Sequence, residues 1–223
     1  MHVLAVSLAL LLGATPLTYA QGAGAADAKS LPQEIPIFPL PEVVLFPGVS
    51  RPFLIFEPRY REMVADALKG TRVIGMVLLR PGYESDYEGR PPIYDVGCAG
   101  EIKDYEQLPD GRYVILLRGL TTFRVVTEDR RRVYRLARVE AVPELLNNEE
   151  LGALSTLRER LTQLLYTVLP LGAEPPEPGL DDAEFVNVTA QNLSMPEAAR
   201  QELLERNSVL ARARALVERL EQR

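Results

Sequence analysis

The chain contains 223 residues, 47% hydrophobic and 25% charged, a composition typical of a folded protein that can bury a sizeable core. Its net charge of −6 opposes general electrostatic binding to nucleic acid or to an anionic membrane. The single histidine is His2 and the single cysteine is Cys98, which argues against imidazole-based catalysis, imidazole metal ligation and an intramolecular disulfide.

Residues 1–20 have the layout of a secretory signal peptide. The apolar run from Val3 to Leu12 is shorter than the about 20 residues of a membrane span. Thr18-Tyr19-Ala20 then resembles a small-x-small cleavage site. We therefore expect a signal peptide over residues 1–20, a linker over 21–30, export to the periplasm and no membrane anchor after cleavage. The alternative is a misplaced start codon and a cytoplasmic protein.

The next stretch, residues 35–53, combines five prolines with a dense set of apolar side chains. Its first three prolines cannot donate to a sheet ladder, so we expect an extended entry followed by a buried strand at residues 43–46. Pro47-Gly48 predicts a tight turn, and residues 52–56 predict a second strand.

A helix and a central strand are predicted next. Pro58 is suited to the first helical position, apolar residues follow at helical spacing, and Gly70 is suited to the C-cap. The near-continuous apolar run at residues 72–80 then predicts a central strand.

The loop at residues 81–95 is the candidate binding element. Tyrosines offer stiff contact area for protein recognition. The candidate protein-binding residues are Tyr83, Tyr87, Tyr94 and Arg90. One alternative is a solvated hairpin loop whose tyrosines cover the edge of the sheet. Another is a divalent-metal site, which lacks the glycine and the distal glutamate of a calcium loop. Its acids would be Glu84, Asp86 and Glu88.

The middle of the chain reads as a series of strands. They are predicted at residues 96–106, 113–117, 121–126 and 133–142, with a hairpin turn at 109–111. Gly119 interrupts one strand and predicts a bulge or bend. The arginines at 130, 131, 132, 135 and 138 predict an exposed edge strand that its charges keep from pairing with other chains, with nucleic-acid binding as the alternative.

After Pro143 the pattern becomes helical. Leucines at helical spacing predict a helix over residues 149–169, and a proline-rich loop follows. Asp181 is suited to cap a helix that ends near residue 193. A single last helix is predicted from Pro196 nearly to the C-terminus.

Several motifs in fixed order carry a family resemblance. PIFPLPEVVLFPG, FEPRYREMV, VGCAGEI and DGRYVILLRGLTTFRV resemble the amino-terminal, substrate-recognition domain of Lon proteases. The FEPRYREMV version is most similar to stand-alone bacterial members and to the related domain of cereblon. The resemblance implies an α+β fold, with a β-rich, PUA-like, barrel-type part over residues 31–143 and a helical bundle over 144–223.

The same resemblance implies recognition rather than proteolysis. The sequence contains no GxxxxGK[ST] phosphate loop and no lysine after Val142 for a serine-lysine dyad. We therefore expect a non-catalytic module that binds a protein or unfolded polypeptide, without ATP, cofactor or metal.

Two other functions stay open. An RNA-binding PUA-like module is one. The other is a hydrolase with two carboxylates drawn from Glu84, Asp86, Asp181 and Asp182. A closed polar pocket with two carboxylates about 5–10 Å apart would favour the enzyme, and an open apolar groove would favour the binder.

Overall fold

The computed structural model describes residues 31–83, 86–87, 89–170, 173–206 and 208–222. The predicted signal peptide and linker lie outside these residues. The strands of the described chain are β1 (Glu34–Leu40), β2 (Ser50–Ile55), β3 (Val73–Leu78), β4 (Val96–Gln107), β5 (Tyr113–Asp129) and β6 (Arg135–Val142). The helices are α1 (Pro58–Lys69), α2 (Asn148–Val168), α3 (Asp182–Asn192), α4 (Glu197–Leu204) and α5 (Val209–Glu221). The α+β fold class is confirmed.

The first strand lies earlier than the sequence predicts. β1 includes Pro36 and Pro39, whereas residues 43–46 form no strand. Both prolines are tolerated because the backbone N–H that each lacks would not have formed a hydrogen bond to a neighbouring strand. Val139 N–H donates to the Gln33 carbonyl, so Gln33 and every second residue after it direct their backbone N–H and C=O groups toward β6. Pro36 is one of the residues in between, so its nitrogen faces away from β6, toward β3. Pairing with β3 begins only at Ile37, so no hydrogen bond is lost at Pro36. Pro39 points its nitrogen the opposite way, beyond the last rung with β6.

Residues 44–46 are buried without being a strand because side chains of α3 satisfy the backbone around them. The Gln191 amide donates to the Val44 carbonyl at 2.9 Å, and the Asn187 amide donates to the Pro47 carbonyl at 2.9 Å. The apolar side chains that suggested a strand, Leu45 and Phe46 among them, enter the core between the sheet and the helices. The sequence therefore predicted correctly that this segment is buried. It predicted wrongly that the backbone of the segment pairs with another strand.

The strands close into a barrel. The sheet has the order β2-β5-β4-β3-β1-β6, and β5 also pairs with β6. The first half of β5 pairs with β2, and its second half pairs with β6. The β5–β6 pairing closes the barrel, and β2 extends the sheet beyond it. The prediction of an exposed edge strand in the arginine-rich segment is wrong, because β6 pairs with β1 on one side and β5 on the other.

The interruption at Gly119 is a bulge, as predicted. In the β4–β5 ladder Gly119 pairs with Gly100, whereas Thr121 pairs with Ala99, so Leu120 is one extra residue on β5. The extra residue bends β5 at the point where it passes from β2 to β6. The barrel interior beyond this bend is filled by Phe123 and aliphatic residues of the other strands.

The helices after β6 pack together against the barrel. Asn147 caps α2 through a capping box with Glu150. Asp181 caps α3, as the sequence predicts. The single last helix is wrong: the chain ends α4 at Leu204 and begins α5 at Val209. Ser208 causes the new start, because its hydroxyl accepts a hydrogen bond from Ala211 N–H. Among the described helices, none combines the length and apolar composition of a membrane span.

Candidate functional site

An apolar cleft lies where the loop after β3 meets the first turn of α4. Its volume is about 260 Å³. We call it the tyrosine cleft; its lining residues are Pro41, Leu78, Leu79, Arg80, Pro81, Tyr83, Tyr87, Tyr94, Glu197 and Ala198. All three tyrosines of the predicted binding loop thus line one cavity, which the barrel and the helical part form together.

Tyr87 is a fixed wall of the cleft. Its hydroxyl donates a 2.8 Å hydrogen bond to Glu57, and the Arg59 guanidinium lies 5.1 Å from its ring centroid. Arg59 also donates to the Tyr87 carbonyl at 3.1 Å and to the Glu57 carboxylate at 2.9 Å. Burial and the hydrogen bond to Glu57 raise the pKa of the Tyr87 phenol, so it remains a neutral donor at physiological pH. The start of α1 therefore anchors the loop.

The other two tyrosines differ in exposure. Tyr94 is half-buried, and the Arg80 guanidinium lies 4.7 Å from its ring centroid while donating to the Ile93 carbonyl. Tyr83 is 46% exposed. A partner could therefore cover Tyr83 without displacing core contacts, which makes it the most accessible aromatic group of the cleft.

Glu197 contributes a polar atom to the cleft. One of its carboxylate oxygens accepts from Arg200, whereas Oε2 is buried with no hydrogen-bond partner among the described residues. A buried acceptor without a donor costs free energy, so a rotation of the Glu197 side chain that brings Oε2 to a donor would be favourable. The sequence predicted a helix start at Pro196 and no site residue on that helix.

Arg90, the fourth predicted residue, lies beside the cleft rather than in its lining. Its guanidinium donates to the backbone carbonyls of Asp129 at 3.0 Å, Arg132 at 3.0 Å and Tyr134 at 3.4 Å. It therefore ties the loop to the turn between β5 and β6. It also lines a second pocket, which shares Tyr87 and Leu79 with the tyrosine cleft. The binding role of Tyr83, Tyr87, Tyr94 and Arg90 stays a prediction.

Two carboxylates of the enzyme alternative are engaged in structural contacts in the part of the chain that is described. Asp181 accepts from Glu184 N–H as the cap of α3, and Asp182 pairs with Arg158 at 2.8 Å. Asp86 lies in the exposed loop after β3. Glu84 and Glu88 lie outside the described residues. Within those residues, no group of three or more His, Cys, Asp or Glu side chains is placed to hold a metal ion.

Comparison with known proteins identifies the family. A model of the ATP-dependent protease La (LON) substrate-binding domain matches residues 34–222. Lon protease 2 of Myxococcus xanthus is 28% identical over 204 residues, which cover 88% of this chain and 24% of that protein. Lon protease 2 of Sorangium cellulosum is 30% identical over 195 residues, again with 24% of its length covered. The chain thus spans about a quarter of the length of these relatives.

Solved structures agree with this assignment. A Lon N-terminal domain protein from Xanthomonas campestris superposes with a TM-score of 0.58 at 27% identity, covering 83% of this chain and 97% of that one. The N-terminal domain of Mycobacterium avium complex Lon protease shares the fold with a TM-score of 0.64 at 16% identity, covering 84% of this chain and 98% of that one. The chain belongs to the LON substrate-binding domain family.

Proposed function

We propose that this member of the LON substrate-binding domain family binds unfolded polypeptide in the tyrosine cleft and catalyses no reaction itself. The observation that carries the proposal is the cleft, in which tyrosines from one loop face the first turn of α4. Its volume of about 260 Å³ lies just below the roughly 300–1,000 Å³ of small-molecule sites. That size suits one large apolar side chain of a longer polypeptide.

The polar group of the cleft supports a polypeptide ligand. An extended chain presents backbone N–H groups beside each side chain, and these need acceptors when they are buried. Glu197 lines the cleft, and its Oε2, which is buried without a donor among the described residues, becomes such an acceptor when the side chain turns toward the bound chain. An apolar side chain in the cleft and a backbone N–H on Glu197 would together fix the direction of the bound chain.

Two single substitutions test the site. Tyr83→Ala removes the most exposed tyrosine of the cleft, and Tyr166→Ala removes a 68% exposed tyrosine on α2, outside the cleft lining. Interface aromatics commonly contribute about 2 kcal/mol, so Tyr83→Ala should weaken binding to fluorescein-labelled casein by roughly thirtyfold. Fluorescence anisotropy measures the affinity, and urea unfolding checks that both variants remain folded.

The control decides where binding occurs. Tyr166→Ala should bind casein like the wild type. Equal affinities for the two folded variants would move the binding site away from the tyrosine cleft, and no binding by the wild type would refute the proposed function. Casein should also remain intact during incubation, with or without ATP, as seen by gel electrophoresis.

A further inference from the structure

A second pocket beside the tyrosine cleft is lined by arginines. Its volume is about 420 Å³. We call it the arginine pocket; its lining residues are Pro39, Arg59, Tyr60, Leu79, Tyr87, Gly89, Arg90, Pro91, Arg130, Val133, Tyr134 and Arg135. It includes four guanidinium groups, and none of these described lining residues is Asp or Glu. Tyr87 and Leu79 form the wall between the two cavities.

Two of the four arginines are neutralised by carboxylates just outside the lining. Arg59 pairs with Glu57 at 2.9 Å. Arg135 is buried and pairs with Glu128 at 2.8 Å, while its other nitrogen donates to the Pro91 carbonyl. These two side chains are held in place by their partners, so they shape the wall of the pocket and add little net charge to it.

The other two arginines keep their charge uncompensated by described residues. Arg90 is held only by backbone carbonyls, which accept hydrogen bonds but carry no net charge. Arg130 is exposed, and its side chain makes no ion pair within the described chain. The acids nearest along the chain are already engaged, because Asp129 pairs with Arg131. Counted over the described residues, the pocket therefore has a local positive charge in a protein whose net charge is −6.

Tyr134 does not change this balance. Its hydroxyl points to Asp66 at 3.0 Å, and Asp66 in turn pairs with Lys69 and Arg132. Burial and the Asp66 carboxylate raise the pKa of Tyr134 to about 12, so the phenol stays neutral at physiological pH. Because the hydroxyls of Tyr134 and Tyr87 already donate to Asp66 and Glu57, the guanidinium groups are the donors left to an anion in the described lining.

We propose that the arginine pocket binds the carboxylate of an Asp or Glu side chain in the same polypeptide whose apolar side chain occupies the tyrosine cleft. Guanidinium groups recognise carboxylates through paired N–H donors, and a rigid, partly desolvated setting strengthens such contacts. Because Leu79 and Tyr87 line both cavities, the proposal places one extended segment across the two. The inference rests on the proposed function and adds the substrate class: an apolar residue close to an acidic one.

Matched peptides test the preference. Two fluorescein-labelled, unstructured peptides carry one Phe flanked by either Asp or Asn residues and are otherwise identical. The wild type should bind the Asp peptide about tenfold more tightly, a difference that shrinks as salt screens the charges. Arg130→Glu should abolish the preference for the Asp peptide over the Asn peptide. The control is Arg124→Glu, an exposed residue of β5 outside the pocket lining, which should retain the preference.

Each outcome has one meaning. Equal affinity of the wild type for both peptides overturns this inference and leaves the tyrosine cleft standing, whereas binding of neither peptide refutes the proposed function as well. Loss of the preference in Arg124→Glu would show general electrostatics and overturn a specific pocket. A single-stranded RNA oligonucleotide is the third ligand. Tighter binding of RNA than of the Asp peptide, lost in Arg130→Glu, would assign the pocket to phosphate and overturn the proposal.

Discussion

Gly119 lies directly against the carbonyl of Phe46: a Cβ on Gly119 would be 2.1 Å from that oxygen. Two backbone hydrogen bonds hold the contact, from Gly48 N–H to the Gly119 carbonyl at 2.9 Å and from Gly119 N–H to the Val49 carbonyl at 2.8 Å. The bulge of β5 therefore docks the buried turn at residues 46–49 onto the barrel. Glycine is required here because the Phe46 carbonyl leaves no room for a Cβ. A left-handed backbone is not the reason, since Gly119 is not among the glycines with positive φ.

Gly119→Ala should destabilise the protein by about 1–3 kcal/mol, because the added methyl group forces the two backbones apart. Urea unfolding measures the loss. Gly152→Ala is the matched control, since Gly152 lies in α2 and a Cβ there would have no neighbour within 4 Å. That change should stabilise the protein by about 0.5–1 kcal/mol through helix propensity. An unfolding midpoint of Gly119→Ala equal to the wild type would remove the close-packing role.

A buried ion pair joins the helices to the barrel. Arg212 is fully buried in α5 and donates to both Glu144 oxygens, at 2.6 and 3.3 Å. It also donates to Asn187 at 2.5 Å and to the carbonyl of Leu203 at 3.0 Å. Arg212→Met should therefore cost about 3–5 kcal/mol, because Glu144 loses its partner in a largely buried position.

The double variant separates the lost pair from lost packing. Arg212→Met with Glu144→Leu removes both charges, so it should be more stable than Arg212→Met alone. The free energies of unfolding in urea of the wild type, of Arg212→Met, of Glu144→Leu and of the double variant together give the coupling energy. Additive effects would contradict the view that the two side chains act as a pair.

Asp66 should make stability depend on pH in the acid range. Burial alone would raise the pKa of Asp66, but hydrogen bonds from Tyr134 and Lys69 hold it below the ordinary carboxyl value of 3.8. Because the folded pKa is the lower one, the ionised group contributes stability above the ordinary pKa, and this contribution is lost as pH falls through the folded pKa. Asp66→Asn should therefore be less stable than the wild type at neutral pH, and the difference should shrink below about pH 4.

Urea midpoints at neutral pH and at several acid pH values measure this effect. Tyr134→Phe removes the main donor to Asp66, so its stability should fall less steeply with acid than that of the wild type. A difference between Asp66→Asn and the wild type that is constant down to the lowest pH would show that ionisation of Asp66 does not stabilise the fold.

The sequence by itself determined the family, the α+β class and most element boundaries. These follow from local signals: Pro58 and Gly70 at the ends of α1, Asp181 at the cap of α3, and the apolar run that became β3. It also placed the three tyrosines on one loop. Asn207-Ser208 was a readable cap signal for the break between α4 and α5, and the long apolar pattern on either side obscured it.

Only the tertiary structure decided which distant groups satisfy one another. Residues 43–46 and β1 are both apolar, and the amides of Gln191 and Asn187 determine which of them is left out of the sheet. The arginine pocket gathers side chains from α1, from the loop after β3 and from the β5–β6 region, which lie far apart in the chain. Whether each charge is compensated depends on partners such as Glu57 and Glu128. Local patterns report propensity and burial, whereas hydrogen bonds and ion pairs between distant residues exist only once the barrel has closed.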